Sequence, residues 1–137
     1  MDMTEFNRRI IEEFRANAGK VGGQFAGAPM ILITHKGAKS GRTYTTPLVY
    51  TRDGDRFVIV ASKAGAPDNP DWYYNLIANP VVTVEIGTEK FQARAHATLG
   101  EERERLFQAH AKAMPQFNEY KRKTTRQIPV LVLERIA

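Results

Sequence analysis

An apolar run, Met30-Ile31-Leu32-Ile33-Thr34, stops at a cationic, glycine-bounded turn, and an extended run from Tyr44 to Thr51 leaves it. This pairing constrains the fold more than any other feature, because two strands joined by a short turn lie side by side and antiparallel. Within the turn, Lys36, Lys39 and Arg42 are interleaved with Gly37, Ser40 and Gly41. Glycine admits left-handed backbone and the close approach of a ligand. Successive N–H groups in such a turn form an anion-binding nest, to which lysine and arginine add charge. The spacing is neither the phosphate loop of nucleotidases nor the three-glycine dinucleotide fingerprint. Read alone, it is either an anion cradle or a solvated hairpin turn that happens to be basic.

The remaining chain supplies more strands and a few helices. Phe6, Ile10, Ile11, Phe14 and Ala18 recur at helical spacing, opposite Arg8, Arg9, Glu12, Glu13 and Arg15, and Thr4 stands as an N-cap. This amphipathic helix, within residues 1–18, covers a sheet or a pocket. Its mixed charges make contact with a membrane surface the weaker alternative. The glycines at 19, 22 and 23 end it. Pro47 places the strand 44–51 at an edge or at a bulge. Asp53-Gly54-Asp55 marks a hairpin, and Phe57 to Ala61 is apolar on both faces, hence central. Asn69 is placed as an N-cap with Pro70 at the first turn of a helix that Asn79-Pro80 closes. Trp72, Tyr73 and Tyr74 are either packed under the loop before them or form an aromatic wall around a planar ligand.

Alternation at Val82, Val84 and Ile86, and again from Phe91 to Leu99, gives two half-buried strands with His96 on the solvated side. Gly100 opens an acid-rich helix whose Leu106, Phe107, His110 and Met114 share a face. Pro115 breaks it before a short piece bearing Phe117 and Tyr120. Val130 to Leu133 is too apolar for an exposed edge. The expected fold is therefore α+β: a small barrel or roll of about six mostly antiparallel strands with helices packed outside.

A chain of 137 residues is the size of one domain, and residues 1–137 are read as one. The absence of cysteine excludes disulfides and thiolate chemistry, and it fits a reducing compartment. No apolar run reaches the roughly 18 residues that span a bilayer. A cytoplasmic location is expected, with peripheral contact at the inner membrane face as a further candidate. A net charge of +5 and a pI near 9.6 call for an acidic partner. The basic residues are spread along the chain, which argues against a nucleic-acid arm and favours a local anion pocket. His35, His96 and His110 have no metal-ligand spacing, no nucleophile elbow is present, and no close carboxylate pair sits on an apolar background, Asp53/Asp55 and Glu101/Glu102 being turn and helix-start residues. An enzyme of this composition takes its reactive group from a bound cofactor.

Residues 22–25 (Gly-Gly-Gln-Phe), 36–48, 60–66 and 70–80 resemble, in order and in one register, the deazaflavin (F420)-dependent nitroreductase and quinone reductase family of actinobacteria. The resemblance runs to the final strand. It implies a split β-barrel related to flavin-reductase and pyridoxamine-oxidase folds. It also implies coenzyme F420, whose phosphate and acidic oligoglutamate tail account for the basic turn and the pI together. By position, Ala38, Lys39, Ser40, Gly41 and Arg42 would hold the phosphate and tail. Tyr44, Thr45, Thr46, Pro47, Leu48 and Val49 would line the ribityl chain and ring. Val60, Ala61, Ser62 and Lys63 would contact the ring, beside Asp71, Trp72, Tyr73, Tyr74 and Asn75 at an aromatic helix start, with Phe117 closing the site.

The implied reaction is hydride transfer from the reduced deazaflavin to a quinone, with nitroaromatics as a further acceptor class. Ser62 and Lys63 would polarise the acceptor. Ala38 stands where the family often has a basic residue, and Lys36 or Arg42 would compensate. Met114, Phe117 and Tyr120 occupy positions that are tyrosines in the family's best-known nitro-activating member, so they would shape acceptor recognition. The N-terminal segment is shorter than in that member, which lowers the expectation of membrane contact. The alternatives are an FMN-dependent reductase on the same barrel and a non-catalytic deazaflavin carrier. Oligomeric state is left open.

Overall fold

The computed structural model describes residues 3–136. Seven strands form one sheet: β1 (Met30–Lys36), β2 (Thr43–Val49), β3 (Thr51–Asp53), β4 (Arg56–Val60), β5 (Val81–Ile86), β6 (Glu89–Ala97) and β7 (Val130–Arg135). Their spatial order is β2-β1-β5-β6-β7-β4-β3, and every neighbouring pair is antiparallel. Four helices flank it: α1 (Met3–Ala16), α2 (Asp71–Ala78), α3 (Gly100–Ala113) and α4 (Gln116–Lys123). The expected split-barrel α+β architecture is what the chain adopts.

The expected strand 44–51 is two strands. β2 and β3 lie at opposite ends of the sheet although only Tyr50 separates them. The sheet therefore curls until its two ends are joined by one residue. Tyr50 donates its N–H to the Pro29 carbonyl (3.1 Å) rather than continuing either ladder. This division raises the strand number from about six to seven. Pro47 sits in the end strand β2, opposite Leu32, where its missing N–H costs no ladder bond on the outer side.

Period-two alternation decides what each strand buries. Ile31 and Ile33 of β1 join Phe57, Ile59, Val84, Phe91, Leu131 and Leu133 inside the curl, with Trp72 and Leu76 of α2 packed among them. The opposite face takes Met30 and Leu32 against Ile10 and Phe14 of α1. Val58, Val60, Val130 and Val132 face Leu106, Phe107 and Phe117 of α3 and α4. β7 is buried on both faces: Leu131 and Leu133 join the core inside the curl, and Val130 and Val132 join that beneath α3 and α4.

Two expected caps are displaced. Thr4 lies inside α1, which already includes Met3. Asn69 does not cap α2: Pro70 holds that position, and the Asn69 side-chain oxygen Oδ1 instead accepts from Arg126 (2.7 Å). Asn79 ends α2 as expected, donating its N–H to the Asn75 carbonyl (2.8 Å).

Candidate functional site

The inner face of β1 changes character at its end. After Ile31 and Ile33 the next inward position is His35, which is buried and stacked on Tyr44 across the ladder with ring centres 6.0 Å apart. Beyond it the basic turn closes through Gly37 N–H to the Arg42 carbonyl (2.7 Å) and Gly41 N–H to the Gly37 carbonyl (3.1 Å). Ser40 Oγ accepts from the Arg42 N–H (3.2 Å). Gly37 is required by close approach, since a Cβ there would collide with Ser40 Oγ and come within 3.0 Å of the Tyr44 ring. Gly41 takes φ +71°. Lys36, Lys39 and Arg42 are exposed and form no ion pair among the described residues, whereas Arg15, Arg56, Arg105 and Arg135 are each paired. Their charge is available to a ligand.

A cavity of about 950 Å³ opens against this turn, bounded by His35, Ala38, Lys39, Tyr44, Asn75 and the start of α2. A second, of about 700 Å³, lies along Thr46 to Val49 and reaches Ser62, Lys63, Phe117 and Tyr120. Asn7, Thr46, Asp71 and Trp72 line both, so the two form one elongated groove beside β2. One end carries Lys39 and the basic turn; the other carries the aromatic rings of Phe25, Phe117 and Tyr120. At the junction His35 Nε2 lies 2.9 Å from Thr46 Oγ1, and its Nδ1 lies 3.1 Å from Asn75 Nδ2. Asn75 Oδ1 in turn accepts the Ala38 N–H (2.9 Å). Burial lowers the His35 pKa to about 4, so the ring is neutral at physiological pH.

The floor of the second cavity is a strained turn. Lys63 (φ +48°), Ala64 (φ +53°) and Gly65 (φ +83°) are consecutive left-handed residues, a conformation that costs a side-chain-bearing residue roughly 1–2 kcal/mol. Arg126, in the segment before β7, holds that turn. Its guanidinium donates to the carbonyls of Ala61 (3.2 Å), Ser62 (2.8 Å) and Ala66 (3.0 Å), and to Asn69 Oδ1 (2.7 Å). The Lys63 ammonium is paired with Asp68 at 3.2 Å, which draws the Asp68 carboxyl below its usual pKa.

Most sequence-derived candidates meet at this groove: Ala38, Lys39, Ser40, Tyr44, Thr46, Pro47, Leu48, Val49, Val60, Ser62, Lys63, Asp71, Trp72, Tyr74, Asn75, Phe117 and Tyr120 line it. Six do not. Gly41 and Arg42 belong to the turn behind the wall, and Thr45 points to the other sheet face, where its hydroxyl meets that of Thr34 (3.0 Å). Ala61 is fully buried in the core, Tyr73 packs against that core, and Met114 is buried between α3 and β7. The structure adds His35, Asn7 and Arg126. The first lies one residue before the basic turn and was read only for metal spacing. Asn7 is a polar residue on the α1 face that carries Ile11 and Phe14, and Arg126 carries no local signal.

The model of the F420H(2)-dependent quinone reductase family matches residues 6–135. The chain belongs to the F420H(2)-dependent quinone reductase family. It is 40% identical over 126 residues to an F420H(2)-dependent quinone reductase of Mycobacterium tuberculosis (strain H37Rv), covering 89% of this chain and 85% of that protein. Among solved structures it is similar to an F420-H2 dependent reductase, FDR-A (TM-score 0.72, 40% identity, 77% of this chain and 94% of that one). A second, solved as a domain-swapped dimer, has TM-score 0.74 and 35% identity over 97% of this chain and all of that one. Family membership makes the protein an F420H2-dependent reductase with coenzyme F420 as its cofactor. The donor set fits that group: unpaired cations at one end suit a phosphate and an acidic tail, and the aromatic end suits a planar ring. No helix among the described residues is long and apolar enough to cross a membrane.

Proposed function

We propose that the chain acts as one deazaflavin-binding domain, with the groove beside β2 holding F420 along its length and a quinone against the ring end. The observation that carries this reading is the continuity of the two cavities through Thr46, Asp71 and Trp72, with the basic turn at one end and aromatic side chains at the other. Lys39, the Ser40 backbone, and Lys36 or Arg42 at longer range would hold the phosphate and acidic tail, with Ala38 shaping the wall while its N–H is given to Asn75. Tyr44, Thr46, Leu48, Val60 and Trp72 would confine the ring. When bound, F420H2 supplies a hydride that reduces the quinone by two electrons. The protein's contribution is to orient the two rings, exclude water and stabilise charge developing on the acceptor oxygen. Ser62 is the better placed polarising group, because the Lys63 ammonium is engaged with Asp68.

Phe117 and Tyr120 meet edge to face at 5.2 Å and form an acceptor wall in which only Tyr120 carries a hydroxyl. Nitroaromatics belong to the same reading as slower acceptors. Ile10 and Phe14 of α1 are used in the protein's own core, which gives a peripheral membrane contact no support from that face.

The test is a fluorescence titration of the purified protein with oxidised F420, run beside FMN, followed by turnover of menaquinone analogues with F420H2. Saturable F420 binding, no FMN binding and quinone turnover are expected. Preferential FMN binding would move the protein to the flavin branch of the fold. F420 binding without turnover of any quinone would make it a carrier.

A further inference from the structure

The hydrogen bonds at the groove's junction have a direction that can be read from donors alone. The Ala38 backbone N–H can only donate, so the Asn75 atom that it meets at 2.9 Å is the carbonyl oxygen. The other end of the amide, Nδ2, can also only donate, and it lies 3.1 Å from His35 Nδ1. His35 Nδ1 is therefore an acceptor and carries no proton. A neutral imidazole must then bear its proton on Nε2, which is 2.9 Å from Thr46 Oγ1. Nε2 donates, and the threonine oxygen accepts. The Thr46 hydroxyl proton is left uncommitted, and the side chain has no other hydrogen bond among the described residues. Thr46 belongs to the wall common to both cavities. The ring stays in this state because it is buried and Tyr44 stacks on it.

We infer that Asn75 and His35 are positioning residues that lock the Thr46 hydroxyl as a hydrogen-bond donor at the groove's junction, selecting a ligand with a carbonyl or anionic ring acceptor there. The inference rests on the F420 reading for the ligand, which is then the heterocyclic head of the deazaflavin, and on the structure alone for the direction of the relay. A threonine whose proton were already given to His35 would present only lone pairs and would repel the same acceptor. Thr45, one residue earlier on the opposite sheet face, is in a different position: its hydroxyl shares a hydrogen bond with that of Thr34 in which either oxygen can donate, so nothing fixes its proton.

The relay is tested first without any variant. Long-range proton–nitrogen NMR of the ¹⁵N-histidine-labelled protein near pH 7.5 distinguishes the two tautomers. His35 is expected with its proton on Nε2; a proton on Nδ1 overturns the inference. Binding of oxidised F420 by fluorescence then tests the donor. Thr46→Val should weaken affinity by about tenfold, while Thr46→Ser stays near wild type. Circular dichroism and thermal melting confirm the fold of each. Asn75→Leu, which removes the amide without adding charge to the anion-binding groove, should also weaken binding, and its effect should largely disappear in the Thr46→Val background, because Asn75 acts through that hydroxyl. Additive losses would assign Asn75 a merely structural role and overturn the relay. If the protein binds F420 and Thr46→Val binds it equally well, the donor assignment fails alone. If the wild type shows the Nε2 proton yet binds no F420, the functional reading fails and takes the ligand assignment with it.

Discussion

Replacing Arg126 by alanine should open the floor of the groove beside β2 while leaving the barrel intact. Arg126 makes four hydrogen bonds, three to backbone carbonyls of the 61–66 segment and one to Asn69, at 2.7–3.2 Å. Bonds from a charged donor contribute roughly 1.5–3 kcal/mol each when buried and about 1 kcal/mol where water competes, as it does around this half-buried side chain. Ordering a long arginine offsets roughly 1–2 kcal/mol of that total. A net loss of about 2–3 kcal/mol follows, and it falls on a turn that already carries two left-handed non-glycine residues, Lys63 and Ala64. The loss should be local, because Ala61 and Val60 remain anchored by β4–β7 pairing and by the Ala61 N–H to the Pro129 carbonyl (2.9 Å). Native-state hydrogen exchange reads it directly. The Gly65 and Ala66 amides, which donate to the Ser62 and Lys63 carbonyls at 2.9 and 3.1 Å, should exchange on the order of a hundredfold faster. Amides of β6 and β7 should change little. Arg126→Lys, with one compact donor in place of a fork, should give an intermediate value. Unchanged protection at Gly65 and Ala66 would refute the clamp, and equal loosening across β6 and β7 would show that Arg126 supports the whole fold instead.

Three further outcomes are expected. Gly65→Ala should lower the thermal midpoint by an amount equivalent to about 1–3 kcal/mol, because φ is +83° and the new Cβ would meet Lys123 Cβ at 2.8 Å and the Tyr120 carbonyl at 3.0 Å; an unchanged midpoint would mean that α4 is not packed against this turn. Lys39→Ala should weaken binding of long-tailed F420 more than of short-tailed F420, and more than Arg42→Ala does, since Lys39 lines the groove and Arg42 does not; equal losses for both tails would argue against an anion cradle. Burial depresses both His35 and His110 to about 4, so between pH 6.5 and 4 the unfolded chain takes up protons that the folded chain refuses. Stability therefore falls with falling pH across that window, by on the order of 3 kcal/mol per histidine at its lower end, and urea titrations of His110→Gln should show roughly half the wild-type slope there.

What could be read from the sequence was whatever local spacing encodes. Alternation at Val82 and Val84 and from Phe91 to Ala97 marks faces of β5 and β6 because each side chain's direction follows from its neighbour's. The basic turn was visible because three cations and two glycines lie together, and no acidic side chain among the described residues pairs with those cations. Arg126 was not visible. Its partners are about sixty residues away, and an arginine in a polar connector looks like any solvated one. The same contact explains the failure of Asn69 as a cap, since its side-chain oxygen is taken by the guanidinium. His35 stands beside the turn in the sequence, but its role needs Asn75, forty positions on, to fix the ring. Met114 has the period of a helix face, and period alone cannot tell a wall that faces ligand from one that faces Val130 and Val132.

The break at Tyr50 ties these observations together. A strand pattern running unbroken from 44 to 51 gives no reason to stop, and the reason is closure: the chain must leave one end of the sheet and join the other within one residue. That closure leaves β2 unpaired on its outer side, which is where an elongated ligand can lie against a strand. An unpaired strand edge also invites a second chain. Pro47 answers both demands, since it removes an N–H that another strand could accept from while leaving Thr46 and Leu48 facing the groove. The site therefore follows from the topology: the inner faces of β1 and β2 run from apolar Ile31, Ile33 and Leu48 to polar His35, Thr46 and Tyr44, and the basic turn continues them beyond the core. Moving the break by one residue would invert that face, placing Thr45 at the junction and turning the Thr46 hydroxyl away from it.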